Sequence, residues 1–339
     1  MADAGPGGSP ARVAVVAIGR NEGGRLAACL DSLTAAGAPV VYVDSGSTDD
    51  SVRLTKEHGF AVHELTPDRP FSAARARNEG YEQLATLFGG ATYVQFLDAD
   101  CAIDAAWLEA GTRFLDDNPD CAAVIGTLSE REPELNVYHR LCAMEWQGPA
   151  GDIEDCNGFG GISLIRGSAF AAIGGFNTSM IAGEDPELAV RLKLAGHRVT
   201  KIDVPMAVHD AEITRFSQYW RRAVRSGHAA GQRAHLHGRS AQRDGVRDVR
   251  SVVFWGLAVP AGALALSPLS TGASLAVGGG GYGALAYRVY RYRRAQGNSS
   301  ADAALYAGAM IVAKFAQLIG LATFYRRTVR ADYRLIEYK

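Results

Sequence analysis

Two aspartates, Asp98 and Asp100, follow a short apolar run and are separated only by an alanine. The run has the composition of a buried parallel strand, and ligands of open α/β sheets bind at the carboxyl ends of such strands. Two carboxylates there would repel each other unless a cation lay between them, and hard oxygen ligands suit Mg²⁺ or Mn²⁺. An Asp-rich turn that caps a helix is the alternative interpretation of this pattern taken alone.

Other polar groups stand at the ends of predicted elements. Asp44 follows the second predicted strand and could accept hydrogen bonds from a nucleobase or ribose, although a turn aspartate explains it equally well. Glu184 and Asp185 lie between a glycine and a proline at a predicted helix start, where they form a second acidic site or complement the helix dipole. His209 ends a late predicted strand, which would bring it near the Asp-X-Asp crevice; a lone histidine is more often structural.

The elements that must position these groups alternate between strand and helix. An apolar run at residues 12–18 precedes a Gly-rich turn and a helix with apolar spacing at 25–33, which is the beginning of a βαβ unit. A helix predicted at 71–87 carries Arg75 and Arg77 in its early turns, where cations oppose the helix dipole and need solvent or an anionic ligand. This rhythm predicts an α/β fold with a parallel or mixed sheet flanked by helices on both faces.

The bulk composition excludes some classes of protein. The chain has 339 residues and a formal net charge of −1, so its overall charge indicates no nucleic acid or other polyanionic partner. Its five cysteines form no CxxC pair and no metal-like spacing, which argues against a disulfide framework and favours a reducing cytosol. Residues 1–10 are rich in Gly, Pro, Ala and Ser without a signal-peptide pattern, and we expect them to be disordered.

Six motifs occur in a fixed order along residues 11–212: a strand with Gly-Arg-Asn-Glu, then Val-Asp-Ser-Gly-Ser-Thr-Asp, Ala-Arg-Asn, Asp-Ala-Asp, Gly-Gly-Phe and Gly-Glu-Asp-Pro-Glu-Leu. Each motif is loose, but the ordered set resembles glycosyltransferase family 2, whose fold is GT-A. The resemblance implies sugar transfer from a nucleotide-diphosphate sugar with Mn²⁺ or Mg²⁺ as cofactor. Processive members such as cellulose synthase carry Gln-X-X-Arg-Trp, whereas residues 218–222 here read Gln-Tyr-Trp-Arg-Arg, which favours transfer of a single sugar.

The resemblance also implies roles for individual residues. Asp185, with Glu184 beside it, would be the general base that deprotonates the acceptor hydroxyl in an inverting displacement. The metal would be held by Asp98, Asp100 and His209. The donor nucleotide would be bound by Ile18, Arg20, Asn21, Glu22, Asp44, Arg77, Asp98 and Ala99, with Arg75 as an alternative to Arg77 at the diphosphate. The acceptor-side candidates are Trp146, Gly160, Gly161, Gln218 and Arg221, although a tryptophan packed in the core is the commoner case.

The C-terminal third predicts contact with a membrane. Residues 215–250 contain nine arginines and two aspartates, accompanied by aromatic residues, which suits a membrane interface; a solvated helix packed on the catalytic domain is the alternative. Residues 252–287 carry no charge, which predicts a hairpin of two short membrane helices with a turn at 267–272, or a shorter re-entrant hairpin. Arginines flank both ends of this segment, which predicts that both ends are cytoplasmic.

A third apolar segment, residues 303–325, has Lys314 at its centre. A lysine at mid-bilayer is costly, so we expect an amphipathic helix that lies in the cytoplasmic interface or packs against the hairpin. The predicted domains are a disordered N-terminus at 1–10, a GT-A catalytic domain at 11–212, basic amphipathic interface helices at 213–250, and a membrane hairpin plus an amphipathic C-terminal helix at 251–339.

These expectations combine into a membrane-anchored, metal-dependent, inverting glycosyltransferase on the cytoplasmic side of the cell membrane. Its acceptor would be a lipid or lipid-linked glycan, in the biosynthesis of a cell-envelope glycan or glycolipid. A nucleotidyltransferase of related fold is disfavoured because the first turn lacks a long Gly-rich, basic loop for a nucleoside triphosphate. A catalytically silent membrane scaffold is disfavoured because it does not need Asp98, Asp100 and Asp185 in one crevice.

Overall fold

The structure, a computed structural model, describes residues 10–330, so the disorder predicted for residues 1–10 lies almost entirely outside the described residues. The described chain divides into two compact units. The first comprises residues 10–131, 149–180 and 184–211, and the second comprises residues 132–148, 181–183 and 212–330. The predicted domain boundaries stay predictions.

The first unit alternates strands and helices. Its strands are β1 (Ala11–Gly19), β2 (Val40–Asp44), β3 (Ala61–Glu64), β4 (Ala91–Asp98), β5 (Cys101–Ile103), β6 (Cys121–Glu130), β7 (Gly151–Asp152), β8 (Ser163–Arg166) and β9 (Arg198–His209). Its helices are α1 (Gly24–Ala36), α2 (Ser51–Glu57), α3 (Ala73–Phe88), α4 (Trp107–Asp117), α6 (Gly167–Ala172) and α7 (Glu184–Leu194), whereas α5 (Val137–Glu145) belongs to the second unit.

The strands form one mixed sheet in the order β3-β2-β1-β4-β8-β6-β9-β5, and β7 pairs with β9. Strands β1, β2, β3 and β4 are mutually parallel, as are β6 and β9, while β8 lies antiparallel between β4 and β6. The predicted α/β class with a mixed sheet is therefore confirmed.

Apolar runs explain why these segments pack as they do. Strand β2 is buried along its whole length, and the central residues of β1 and β4 are buried as well, because helices cover the sheet. Helix α1 buries Leu26, Cys29, Leu30 and Leu33, whose spacing places them on one helical face. It ends at Gly37, whose φ of 66° is the left-handed conformation that glycine adopts without strain.

The second unit is helical. It contains α5, α8 (Phe216–His237), α9 (Val246–Val253), a π-helical turn (Phe254–Ala258), α10 (Val259–Leu266), α11 (Ala273–Ala295) and α12 (Ser300–Arg330). Helices α8 and α12 approach closely at glycines: a Cβ added at Gly227 would overlap the backbone of Gln317, and one at Gly320 would overlap the carbonyl of Val224. Helix α12 therefore packs against the basic helix α8.

Two helical stretches, Val246–Leu266 and Ser300–Arg330, are long and apolar enough to cross a membrane by length and composition. The first coincides with the first half of the predicted hairpin. The second half forms α11, which ends in an arginine-rich turn and is not among the candidate spans found in residues 10–330. Helix α12 is also long and apolar enough to span a membrane. The interfacial location predicted for residues 303–325 therefore stays a prediction, and a membrane-spanning location is the alternative.

Candidate active site

The register of the central strands brings two predicted acids to one edge of the sheet. Strand β1 pairs Gly19 with Asp44 of β2 on one side and Ile18 with Asp98 of β4 on the other. The amide of Ala99 donates to the carbonyl of Ile18 at 2.9 Å, which fixes the turn after β4 against the end of β1. Parallel strands end at the same edge, so this is the crevice that the sequence predicts.

Asp44 keeps one oxygen available in a buried position. Its Oδ2 accepts hydrogen bonds from the amides of Gly46 (2.9 Å) and Ser47 (2.8 Å), whereas its Oδ1 is buried without a partner. A buried acceptor without a donor costs free energy. The arrangement therefore suits a ligand that donates a hydrogen bond, as a nucleobase or a ribose hydroxyl does.

The turn that follows β1 is held by hydrogen bonds to the turn that follows β2. Asn21 has a left-handed backbone with φ of 56°, its amide donates to Ser47 Oγ at 2.9 Å, and its Oδ1 accepts from the amide of Thr48 at 2.7 Å. The neighbouring predicted residues are also engaged: the Glu22 carboxylate pairs with Arg25 at 2.7 Å, and the Arg20 guanidinium lies 5.7 Å from the ring of Phe71.

Close contacts at the end of β1 leave no room for a side chain at Gly19. A Cβ there would lie 2.7 Å from the Tyr42 hydroxyl and 2.8 Å from the Cβ of Ala99. Glycine at this position is therefore required by packing against Tyr42 and Ala99.

Arg77 of α3 lies at the centre of three carboxylates. Its Nη2 donates to Asp98 Oδ1 at 2.8 Å, and its Nη1 donates to Glu184 Oε1 and Asp185 Oδ1, both at 2.9 Å. The arginine side chain is only 2% exposed, whereas that of Asp98 is 37% exposed. The ring of Phe176 lies 5.3 Å from the guanidinium carbon. The predicted donor-side acid Asp98 and the predicted general base Asp185 thus share one buried cation.

This cluster shifts the ionisation of its members. Burial raises the pKa of Asp185 well above its usual value; the positive charge of Arg77 acts in the opposite direction, and the charges of Glu184 and Asp98 raise the pKa further. Burial alone would lower the pKa of Arg77, but the three carboxylates hold it above its usual range. A carboxylate with a raised pKa is a stronger base at neutral pH, as general-base catalysis requires.

Gly161 packs closely against the guanidinium of Arg77. A Cβ at this position would overlap Nη2 of Arg77 and would lie 3.2 Å from Asp185 Oδ2, whereas one at Gly160 would meet nothing within 4 Å. Of the two predicted acceptor-side glycines, Gly161 is thus required by packing against Arg77.

Asp100 and His209 lie together at a different place, where β5 pairs with β9. Cys101 faces His209 in the antiparallel register, and His209 Nε2 lies 3.7 Å from Asp100 Oδ2. Ligand atoms of Asp100, Cys101 and His209 all lie within 4.8 Å of one another, close enough to share one ion. A carboxylate oxygen and an imidazole nitrogen are donors that Mn²⁺ accepts, so these residues fit the predicted metal.

Glu130 supports this group and was not predicted. It pairs with His209 in the β6–β9 register, its Oε2 lies 3.4 Å from His209 Nδ1, and its Oε1 accepts from the amide of Ala211 at 3.0 Å. Its side chain is fully buried. A carboxylate behind an imidazole fixes which ring nitrogen faces the metal. The only sequence signal was an acid at the end of a predicted apolar strand.

The remaining predicted residues have other surroundings. Trp146, Gln218 and Arg221 belong to the second unit. The Gln218 side chain caps α8, since its Oε1 accepts from the amides of Thr214 (3.0 Å) and Arg215 (3.1 Å). The roles assigned to the predicted site residues stay predictions.

Comparison with known proteins finds similarity to a glycosyltransferase family and to a curated relative. The family model of Glycosyl transferase family 2 matches residues 14–174. The succinoglycan biosynthesis protein ExoA of Rhizobium meliloti (strain 1021) is 26% identical over 202 residues, which are 56% of this chain, and the match spans 59% of that curated relative's length.

A solved structure carries the same fold. The mannosyltransferase PcManGT from Pyrobaculum calidifontis, solved with GDP-Man and Mn²⁺, superimposes with a TM-score of 0.60 at 19% identity, covering 93% of this chain and 88% of that one. The predicted GT-A fold is therefore confirmed. Residues 14–174, just under half of the chain, thus match glycosyltransferase family 2, the family that the sequence motifs resemble.

Proposed function

We propose that this chain is a metal-dependent glycosyltransferase that transfers a single sugar, with inversion, from a nucleotide-diphosphate sugar to a membrane-associated acceptor. The observation that carries the proposal is the arrangement around Arg77, where the donor-side Asp98 and the base candidate Asp185 share one guanidinium. Single displacement at an anomeric carbon needs a base on one face and a stabilised leaving group on the other.

The donor side follows from the strand ends. Asp44 Oδ1 would accept a hydrogen bond from the base or ribose, and the turn containing Asn21 and Glu22 would lie along the nucleotide. Asp100 and His209, with Asp98 beside them in the sequence, would hold Mn²⁺ or Mg²⁺. When bound, the metal supplies charge neutralisation of the leaving diphosphate. The complex of PcManGT with GDP-Man and Mn²⁺ supports a nucleotide sugar and a divalent metal as a pair.

Asp185 would take the proton of the acceptor hydroxyl at its carboxylate. Its pKa, raised by burial and the adjacent acids, matches that role. The acceptor would be a lipid or lipid-linked glycan. The two apolar helical stretches and the arginine-rich residues 215–250 support a membrane location, with the catalytic domain on the cytoplasmic side.

The first experiment measures thermal stabilisation of the full chain in detergent by UDP, GDP, dTDP and CMP, each with Mn²⁺ and with EDTA. A ligand that binds only the folded state raises the melting temperature. We expect a Mn²⁺-dependent shift for one nucleotide, which Asp100→Ala abolishes and Glu109→Ala, at an exposed ion pair with Arg113, retains. No shift with any of the four would contradict a nucleotide-sugar site and would favour the scaffold alternative.

A second measurement identifies the reaction. The matching nucleotide sugars are incubated with the protein and membrane lipids, and the released nucleotide is analysed. We expect a free nucleoside diphosphate together with a glycosylated lipid product. Release of a monophosphate such as CMP would contradict a nucleotide-diphosphate donor. Release of pyrophosphate from a nucleoside triphosphate would instead indicate a nucleotidyltransferase.

A further inference from the structure

Arg77 is buried between groups that belong to the two sides of the proposed reaction. One terminal nitrogen contacts Asp98 at the end of β4, and the other contacts Glu184 and Asp185 at the beginning of α7. These contacts join residues that are distant in sequence, since Arg77 and Asp185 are separated by 108 residues.

We infer that Arg77 is a positioning residue, which fixes the base Asp185 relative to the donor-side acid Asp98, and that it is not a ligand of the diphosphate. The inference rests on the roles proposed above for Asp98 and Asp185. It changes the role that the family resemblance implies for Arg77, because both of its terminal nitrogens are engaged by carboxylates.

The shape of the guanidinium makes this role specific to arginine. Its nitrogens form a rigid planar fork, so contacts made by two of them fix both the distance and the direction between the groups they bind. Neighbouring residues pack against the guanidinium. The backbone of Gly161 lies so close to Nη2 that a Cβ there would overlap it, and the Phe176 ring lies 5.3 Å from the guanidinium carbon. A lysine has a single nitrogen and cannot hold Asp98 and Asp185 in the same way.

The charge of Arg77 also bears on the base. The groups that face Asp185 are Arg77 from α3, Asp98 from β4 and Glu184 from its own helix, so Arg77 supplies positive charge against two neighbouring negative charges. Without Arg77 the three carboxylates would oppose one another's ionisation. The acid limb of the pH–rate profile should then move to higher pH.

The experiment compares Arg77→Lys with Arg191→Lys in the full chain. Arg191 is a matched control because it lies in α7, four residues after a buried acid, Glu187, to which it donates at 2.8 to 3.0 Å. For each variant we measure the melting temperature, its shift by UDP and GDP with Mn²⁺, and turnover of the matching nucleotide sugar across pH 5 to 9.

For Arg77→Lys we expect nucleotide binding within threefold of wild type and turnover lowered by about 10²-fold because the base is misplaced. The acid limb should shift to higher pH in Arg77→Gln, which removes the positive charge. Arg191→Lys should change turnover by less than threefold. Turnover of Arg77→Lys within threefold of wild type would overturn the inference. So would a loss of nucleotide binding as large as the loss of turnover, which would mark a diphosphate ligand.

A wild-type protein that turns over no nucleotide sugar would contradict the proposed function instead. In that case, the role of Arg77 is tested by the pH dependence of the free energy of unfolding of Arg77→Gln. Arg77→Gln should lose more stability than wild type as the pH rises from 5 to 8, and adding Asp185→Asn should remove part of that loss. An unchanged pH dependence in Arg77→Gln would overturn it.

Discussion

The two acidic clusters of the first unit are neutralised differently. Around Arg77, three carboxylates surround a cation that belongs to the chain and is permanently charged. At Asp100, the neighbouring groups are an imidazole and a thiol, and a buried glutamate lies behind the imidazole. Carboxylate oxygens in both clusters suit a divalent ion, but those of the first already surround the Arg77 guanidinium, whereas the second adds an imidazole nitrogen.

The Asp-X-Asp motif is divided between these clusters. Strand β4 ends at Asp98, and the chain turns before β5 begins at Cys101, so Asp98 contacts Arg77 while Asp100 faces His209. Two acids two residues apart therefore have different electrostatic surroundings. We expect the first cluster to respond to mutation through turnover and the second through metal affinity.

The largest effect is expected for Asp185→Asn. Asparagine is nearly isosteric but cannot accept the proton, so turnover should fall by about 10³-fold while Mn²⁺-dependent nucleotide binding stays within threefold. The measurement is release of the free nucleotide from the donor. Glu187→Gln, in the same helix, is the control. Turnover within tenfold of wild type would exclude Asp185 as the base.

Glu130→Gln tests the second cluster. Replacing a carboxylate behind a metal-binding imidazole typically costs 10- to 100-fold in metal affinity, and we expect a loss of about that size for Mn²⁺ measured by calorimetry. Glu109→Gln should leave the affinity unchanged because Glu109 is exposed in α4. Equal Mn²⁺ affinities for Glu130→Gln and wild type would remove Glu130 from this role.

Gly161→Ala perturbs the first cluster indirectly. The added methyl would overlap Nη2 of Arg77, so the guanidinium must shift, and we expect about tenfold lower turnover with a stability loss of about 1–3 kcal/mol. Gly158→Ala is the control, since its Cβ would make an ordinary 3.5 Å contact with Ile153. If the two alanine variants behave alike, Gly161 is not important for holding Arg77.

The smallest expected effect is on how the free energy of unfolding changes with pH when Asp185 is replaced by asparagine. Because the pKa of Asp185 is raised in the folded state, the folded protein binds this proton more tightly than the unfolded chain. That contribution is complete below the ordinary aspartate pKa of about 4 and is lost as the pH rises through the folded value. Asp185→Asn should therefore be more stable than wild type at pH 8, by about 1.4 kcal/mol for each unit of elevation.

Chemical denaturation at pH 4 and pH 8 measures this difference. The advantage of the asparagine variant should shrink at pH 4, where the wild-type side chain is protonated as well. An advantage that is the same at both pH values would show that desolvation and the adjacent acids do not raise the pKa of Asp185.

Much of the fold could be predicted from the sequence because it rests on local patterns. The continuous apolar runs of β1, β2 and β4 and the acids that follow them predicted both the parallel core and the crevice. Strand β5, with three residues, and helix α5 were not predicted, since neither has a distinctive period.

The contacts within the site depend on long-range pairing and could not be predicted in the same way. The family resemblance implies that Arg77 contacts the diphosphate, whereas a cation near a helix N-terminus by itself indicates only solvent or an anionic ligand. That its contacts are with Asp98, Glu184 and Asp185 follows from how α3, β4 and α7 pack. Glu130 is paired with His209 by the register of β6 and β9, which no local pattern encodes.

The register of β9 has a consequence for how the protein is made. His209 is the last residue of the last strand, and its contact with Glu130 joins positions 79 residues apart. Contacts of such separation form late in folding, and a chain emerging from the ribosome must expose residue 209 before they can form. A truncated or half-folded chain would thus have β1, β2 and β4 but would lack the proposed metal ligand His209, so, if the proposal holds, Mn²⁺ binding would report that the sheet is complete.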